Sequence, residues 1–501
     1  MIRNSTQGAP EGTAALPRTA AAALAVVLAL GVAARPVAAW TKSLVLDEFH
    51  TWFHATRPGV SAFFSTLLQD NHPPLGFLTV ALARLALGTS ELALRAPALA
   101  FSVLEVGVLA WFGTRVGALA GARARGLGLA AAALLGASSM HLDYGSQARM
   151  YALHALAATV TLVAVHALLT RAQARAAAVT LAVSLTVAFH THYFGGHYAV
   201  GALAAALGLA AFDPGVRARL RRGLLPCACA ALASLPWAWF GFRQQLEHRL
   251  PPGGDDLGWR GLAEAFVHLG FHNVRLGGPT LRVAFIAAGG VALALGALGA
   301  LRLLRRRETR VAGGLAAVAA FGVPVFAWAL AHLTPRAGFT WHYILPSAAP
   351  LALLVAAGSV ALGALSRALF GGVLALALTL TWLNATSAGT EDFRGAVRAL
   401  LDQYEPGDAV IGVEWQPALF PQGQPYDYYA PRLSEAPPER LPMTGFTLAD
   451  PSALDRTQRA LVLRKSLPGD QHLIELLRAR FEPVARQEFG FSLDVTVWQR
   501  R

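Results

Sequence analysis

The sequence predicts a mainly α fold, a polytopic membrane helical bundle of about eleven spans followed by a small α/β domain. Three observations predict it. Hydrophobic residues make up 55% of the 501 and charged residues only 14%, where soluble domains carry about 25% charged residues. Apolar runs near the ~20 residues needed to cross a bilayer recur along the first three quarters of the chain. Beyond residue 388 the composition becomes charged and Pro-rich, with short alternating helix and strand patterns.

The net charge is +13, from 42 Lys and Arg against 29 Asp and Glu. A basic balance of this size can signal nucleic acid. Here the arginines sit in short loops between apolar runs, which is the pattern of a membrane protein retaining its basic loops in the cytoplasm. The partner it implies is the lipid bilayer, not nucleic acid. The two cysteines, Cys227 and Cys229, share one apolar run. They support neither a disulfide framework nor a cysteine metal site.

Residues 1–18 read as a polar cytoplasmic tail. Residues 19–40 read as a retained first span, since many later spans follow. Further spans are expected near 96–115, 126–141, 150–170, 176–190, 194–212, 223–242, 282–301, 311–332, 343–365 and 368–388. Basic clusters fall at Arg115/Arg123/Arg125, Arg171/Arg175, Arg217/Arg219/Arg221/Arg222, Arg305/Arg306/Arg307/Arg310 and Arg367. All of them fall on the cytoplasmic side only if the weaker run 73–87 does not cross. That run is therefore expected to lie along the outer surface or to re-enter. The amino terminus is then cytoplasmic, the carboxyl terminus extracytoplasmic, and the domains are 1–18, 19–388 and 389–501.

Within 389–501, Phe393, Val397, Leu400 and Leu401 have helical spacing. Pro406-Gly407-Asp408 reads as a turn. Residues 409–413, 461–463 and 493–498 read as strands and 473–481 as a helix. This region carries no catalytic motif, and the chain shows no repeat.

The outer face collects the polar residues. The first loop holds Leu46-Asp47-Glu48-Phe49-His50 and then Asp70-Asn71-His72-Pro73-Pro74-Leu75. Solvated loop charges explain the first string, and a Pro-started helix explains the second. The next outer segment runs from His141 to Leu153 and includes Asp143, Gln147, Arg149 and Tyr151. A snorkelling arginine and a belt tyrosine explain two of these, but not Asp143 beside them. His190, His192 and His197 crowd one turn, and hydrogen bonding or packing is favoured over metal ligation there. Glu105 stands alone inside a span.

Asp47-Glu48, His72-Pro73-Pro74-Leu75, the run from Gly88 to Pro97, and Ala148-Arg149-Met150-Tyr151-Ala152-Leu153 occur in that order. In this the chain resembles the protein O-mannosyltransferase and aminoarabinose-transferase superfamily, which has the multi-spanning GT-C glycosyltransferase fold. It looks most like the bacterial branch that includes lipopolysaccharide-core galacturonosyltransferases. Thr191-His192-Tyr193-Phe194-Gly195 and His342-Tyr343-Ile344-Leu345-Pro346 are similar to two further stretches of that superfamily.

The resemblance implies transfer of a hexosyl or pentosyl unit from a polyprenyl-phosphate-linked sugar to a cell-envelope acceptor, a lipid, glycan or protein, at the outer face of the inner membrane. It implies a catalytic set of Asp47, Glu48 and Asp143, with Asp47 as general base or acceptor orienter. It implies a substrate-binding set of His72, Arg95, Gln147, Arg149, Tyr151, His192 and His342, with Arg149 and Arg95 on the lipid phosphate. No metal ligand is assigned and no cofactor is certain. A divalent cation stays open, because some superfamily members use one and others do not. Two positions depart from the pattern: Gln147 stands where a Glu is common, and His342 where an Arg is common. A transporter or flippase, for which Glu105 speaks, and an inactive lipid-sugar binder, for which Gln147 speaks, are the alternative readings.

Overall fold

The computed structural model describes residues 17–121, 126–171, 174–248, 258–334, 339–360, 362–389, 391–412, 424–444, 447–465, 471–490 and 493–501. Arg123 and Arg125 of the first basic cluster, and most of the amino-terminal tail, lie outside them.

Among the described residues, nine helices are long and apolar enough to cross a membrane: Arg18–Thr41, Glu91–Ala120, Tyr151–Thr170, Gly195–Phe212, Pro214–Glu247, Val274–Arg305, Arg310–Leu333, Trp341–Gly358 and Ala364–Thr386. The protein is a multi-pass membrane protein. Two expected spans form shorter helices, Leu127–Gly136 and Arg175–Thr191. The first stops because the chain unwinds at Ala137 and restarts as Ser139–Gly145, where the Ser138 hydroxyl accepts the His141 N–H. That break carries Asp143 on a short helix capped by Ser138. The run after His72 forms the helix Pro74–Leu87, with proline in its first turn and Gly88 at φ +88° ending it. Its 14 residues extend about 21 Å, short of the ~30 Å hydrocarbon core.

The helices Glu91–Ala120 and Tyr151–Thr170 lie side by side in the same direction. Thr159 bonds Glu105, and the His166 ring meets Phe112. At their far ends, arginines cap neighbouring carbonyls. Arg306 donates to Ala120 O, Arg219 to Leu169 O and Arg222 to Arg171 O. The basic loops thus gather at one end of the bundle, as the charge pattern requires. The near ends of the same two helices carry Arg95 and Tyr151, so the polar motifs gather at the other end.

Small residues let the bundle close without bulky apolar knobs. A Cβ on Gly299 would fall 1.9 Å from Leu354 O, and one on Gly358 would fall 2.0 Å from Leu295 O. Those two backbones therefore touch at a point only glycine allows.

After residue 388 the helix Phe393–Gln403 forms as expected. Strands β1 (Ala409–Gly412), β2 (Met443–Thr444), β3 (Thr447–Leu448), β4 (Arg459–Lys465), β5 (Phe481–Glu488) and β6 (Leu493–Arg500) follow. The main sheet has the order β1-β4-β6-β5, with β1 and β4 parallel and the other pairs antiparallel. The helices Pro425–Leu433 and Gln471–Arg478 pack around it. Phe393, Val397, Tyr428 and Tyr429 share one apolar core with Leu44, Phe49 and Leu94 of the bundle's polar end.

Candidate active site

Leu46–Ala55 is the helix that organises this end. Its Glu48 is fully buried and occupied on both oxygens. One accepts Val45 N–H at 3.0 Å and Arg95 Nη2 at 2.6 Å. The other accepts Arg95 Nε at 2.8 Å and Ala148 N–H at 2.7 Å. Arg95 spends its remaining donors on the carbonyls of Ala39, Lys42 and Ser43, each at 2.8 Å. Two of the expected functional residues are therefore framework. Glu48 has no lone pair to spare for a substrate proton, and Arg95 has no N–H to offer a phosphate. Their pairing pins the end of the first span, the first loop and the segment before Arg149.

Asp47 points the other way. It is exposed, and among the described residues no hydrogen bond reaches its carboxylate. Surrounding protein pushes its pKa up. The charges of Arg149, His342, His50 and His72 outweigh that and hold it below the ordinary aspartate value.

Arg149 is buried yet poorly satisfied. Its Nη1 reaches Asp47 O at 3.2 Å, the Thr51 hydroxyl at 3.3 Å and His50 Nδ1 at 3.5 Å. Its Nε is buried with no hydrogen bond among the described residues. The guanidinium sits between the rings of Phe77 and Tyr151, 6.0 and 5.8 Å away. A buried cation with an idle donor and weak partners is an anion site in waiting.

Rings wall this recess. Tyr151 lies 5.2 Å from His342 and 6.1 Å from His192, and His192 lies 5.5 Å from His72. The structure thus brings Asp47, His72, Arg149, Tyr151, His192 and His342 together. Asp143 and Gln147 do not join them. Both line a polar cavity with Lys42, His272, Asn273 and Tyr144, whose ring stacks on His342 of the recess. Asp143 is bound there by Lys42 Nζ at 2.6 Å, Asn273 Nδ2 at 2.6 Å and His272 Nε2 at 3.1 Å. Burial pushes its carboxyl up, but Lys42 and His272 hold it well below the usual range. A carboxylate so fully paired is a poor base, so Asp143 is a correction to the expected catalytic set.

Of the three crowded histidines, His190 bonds Thr186 O, His192 Nδ1 accepts the Phe194 N–H, and His197 stacks on Phe194. They form no common ligand set. A different group forms between the two strings of the first outer loop and His54, which lies outside both. Asp70 lies beside His50, His54 and His72. Its signal was the spacing of His50 and His54, one turn apart on one helix face.

No protein-family model matches the chain, and no curated protein matches it in sequence. Solved structures do. ArnT from Cupriavidus metallidurans bound to undecaprenyl phosphate is 14% identical over 95% of this chain and 97% of its own, with a TM-score of 0.54. The same protein in the apo state gives 14% identity, coverage of 96% and 98%, and a TM-score of 0.57. The oligosaccharyltransferase of Archaeoglobus fulgidus in complex with Zn and sulfate is 12% identical over 88% of this chain and 67% of its own, with a TM-score of 0.52. These neighbours are an aminoarabinose transferase and an oligosaccharyltransferase. This chain therefore has the fold of these neighbours, a polytopic helical bundle of the GT-C type with a small carboxyl-terminal sheet region.

Proposed function

We propose that this protein is a membrane glycosyltransferase that moves a sugar from a polyprenyl-phosphate donor to a cell-envelope acceptor at the non-cytoplasmic face of the inner membrane. The observation that carries the reading is an accessible, unpaired carboxylate, Asp47, beside a buried, under-coordinated guanidinium, Arg149. Inverting transfer needs both. The acceptor oxygen forms its bond to the anomeric carbon as the bond from that carbon to the phosphate oxygen breaks. The acceptor proton passes to the Asp47 carboxylate. The electron pair leaves on the lipid phosphate, where Arg149 meets the added charge.

His72, His192, His342 and Tyr151 line the recess and would orient sugar hydroxyls and phosphate oxygens. The bound lipids of fold neighbours support the donor class. One ArnT structure holds undecaprenyl phosphate, and one archaeal oligosaccharyltransferase structure holds dolichol-phosphate and an inhibitory peptide. In this reading residues 1–18 are cytoplasmic, 19–388 form the transferase bundle and 389–501 an extracytoplasmic domain. A transporter reading loses its motive. Glu105 is bonded within the bundle on both oxygens, to His141 Nε2 at 2.9 Å and to the Thr159 hydroxyl at 2.8 Å, and Arg35 meets the other ring nitrogen of His141.

The test is transfer from a labelled polyprenyl-phosphate sugar pool in membranes, comparing wild type with Asp47→Asn at matched protein levels. Loss of labelled product in the variant is expected. Equal product from both would overturn the reading.

A further inference from the structure

The helix Leu46–Ala55 turns two histidines, one turn apart, toward one atom. His50 Nε2 lies 2.7 Å and His54 Nε2 2.8 Å from Asp70 Oδ2. The three donor atoms all fall within 4.8 Å of one another. The side chains of His54 and Asp70 are fully buried, and that of His50 is 15% exposed. The other Asp70 oxygen is held in place by the N–H groups of Asn71 at 2.5 Å and His72 at 2.9 Å, and by His72 Nδ1 at 3.1 Å. Oδ2 is therefore the oxygen presented to the two rings.

We propose that His50, His54 and Asp70 form a binding site for one divalent transition metal of the zinc class. Two imidazole nitrogens and one carboxylate oxygen are the donor mixture such ions select, whereas calcium and magnesium take oxygen alone. Histidines at i and i+4 present both rings on one face, which is how a single helix supplies two ligands. Three protein ligands leave a further position for water or an anion oxygen.

The surroundings orient the ligands as metal sites require. His54 Nδ1 lies 3.2 Å from the Thr66 hydroxyl. That hydroxyl has one proton, and the Phe63 and Ala62 carbonyls of its own helix compete for it at 3.0 and 3.1 Å. His54 Nε2 is hydrogen-bonded to Asp70 Oδ2 at 2.8 Å; the tautomer that donates Nδ1–H to Thr66 is the one that would turn the Nε2 lone pair toward an ion. Without an ion, both rings sit at hydrogen-bond distance from Asp70 Oδ2, and a bound ion would replace those two contacts. Bonds of about 2.0–2.2 Å to a shared ion set tetrahedral donors roughly 3.3 Å apart, so the rings and carboxylate separate by about half an ångström to admit it.

The site adjoins the recess through His50, whose Nδ1 is 3.5 Å from Arg149 Nη1. A bound ion adds positive charge on the side where Arg149 is already under-coordinated. The bland alternative is a carboxylate hydrogen-bonded by neutral imidazoles, with no ion.

Metal stoichiometry decides between them, and it is read without any sugar donor. Failure of the transferase reading therefore leaves the metal result standing, and the reverse holds too. The full-length protein is purified in detergent, stripped with chelator, exposed to Zn²⁺, desalted and analysed for metal. About one zinc per chain is expected for wild type, with affinity reduced tenfold or more in Asp70→Asn and in His54→Gln. The Cys227→Ser/Cys229→Ser double variant should retain the ion. Exchange with Co²⁺ should give a ligand-field spectrum of nitrogen and oxygen donors. The two single variants guard against one failing to fold. Wild type holding no more zinc than the Asp70→Asn/His54→Gln double variant would overturn the proposal.

Discussion

Asp47 and Glu48 are neighbours with opposite fates, and a rotation of about 100° per residue along the helix decides which is which. Glu48 turns inward onto Arg95, and Asp47 turns outward toward Arg149. Asp47→Asn should leave the amount of folded protein unchanged, because its carboxylate carries no hydrogen bond among the described residues. It should cut turnover by about 10²–10⁴-fold, the usual worth of a positioned general base. Steady-state rates at matched protein level check this, and a variant within threefold of wild type would sink the assignment. The pH profile carries a second expectation. Asp47 is held below the ordinary aspartate value, chiefly by Arg149 against the upward push of its surroundings. The base form therefore persists as pH falls through about 4, and the acid limb of kcat/KM lies below that point. Removing the positive charge with Arg149→Met leaves the upward push unopposed by its main counterweight. The acid limb should then move to higher pH. A limb that stays put would show that Arg149 does not govern this carboxylate.

At the scale of the element, the first loop is a clamped segment. The Glu48–Arg95 pair holds it from the bundle side. The carboxyl-terminal region holds it from the other: Leu44 N–H donates to the Tyr429 hydroxyl at 2.7 Å, Leu46 N–H to Glu391 Oε2 at 2.8 Å, and Phe393 N–H to the Ser43 hydroxyl at 3.1 Å. Breaking a buried ion pair from one side costs about 3–5 kcal/mol. Glu48→Gln should therefore lower the thermal transition of the detergent-solubilised protein markedly, with loss of activity following loss of fold. A stable but inactive Glu48→Gln would return that residue to the chemistry. Tyr429→Phe removes the acceptor of a buried N–H, worth about 1–3 kcal/mol. Hydrogen exchange in residues 43–49 should rise in that variant while the spans stay protected. This clamp was not legible in the sequence, because its partners lie tens to hundreds of residues apart and nothing local marks them. The same blindness hid β5, whose residues after Phe481 are exposed and carry no apolar alternation. Elements with an apolar face, such as Phe393–Gln403 and β6, were legible for the converse reason.

For the whole molecule, charge separates the two ends. Arg219, Arg222 and Arg306 tie helix ends together far from Asp47 and Arg149, and the helices between them span the bundle. The apolar runs and the arginine loops made this polarity readable from sequence, since both are properties of single segments. Recognition of the outer recess needed four separate segments to meet, and the motif order supplied that only in outline. Because the basic loops collect at one end, the membrane should be oriented with that end in the cytoplasm. The consequence can be measured with a membrane-impermeant thiol reagent in a background lacking Cys227 and Cys229. Glu435→Cys, exposed on the carboxyl-terminal region, should label from outside once the outer envelope is opened. Arg222→Cys should label only after the inner membrane is lysed. The reverse pattern would place Asp47 and Arg149 on the cytoplasmic face, where a donor flipped outward for envelope synthesis could not reach them. A transferase acting on the envelope requires the first pattern, so this labelling tests the topology and the site together.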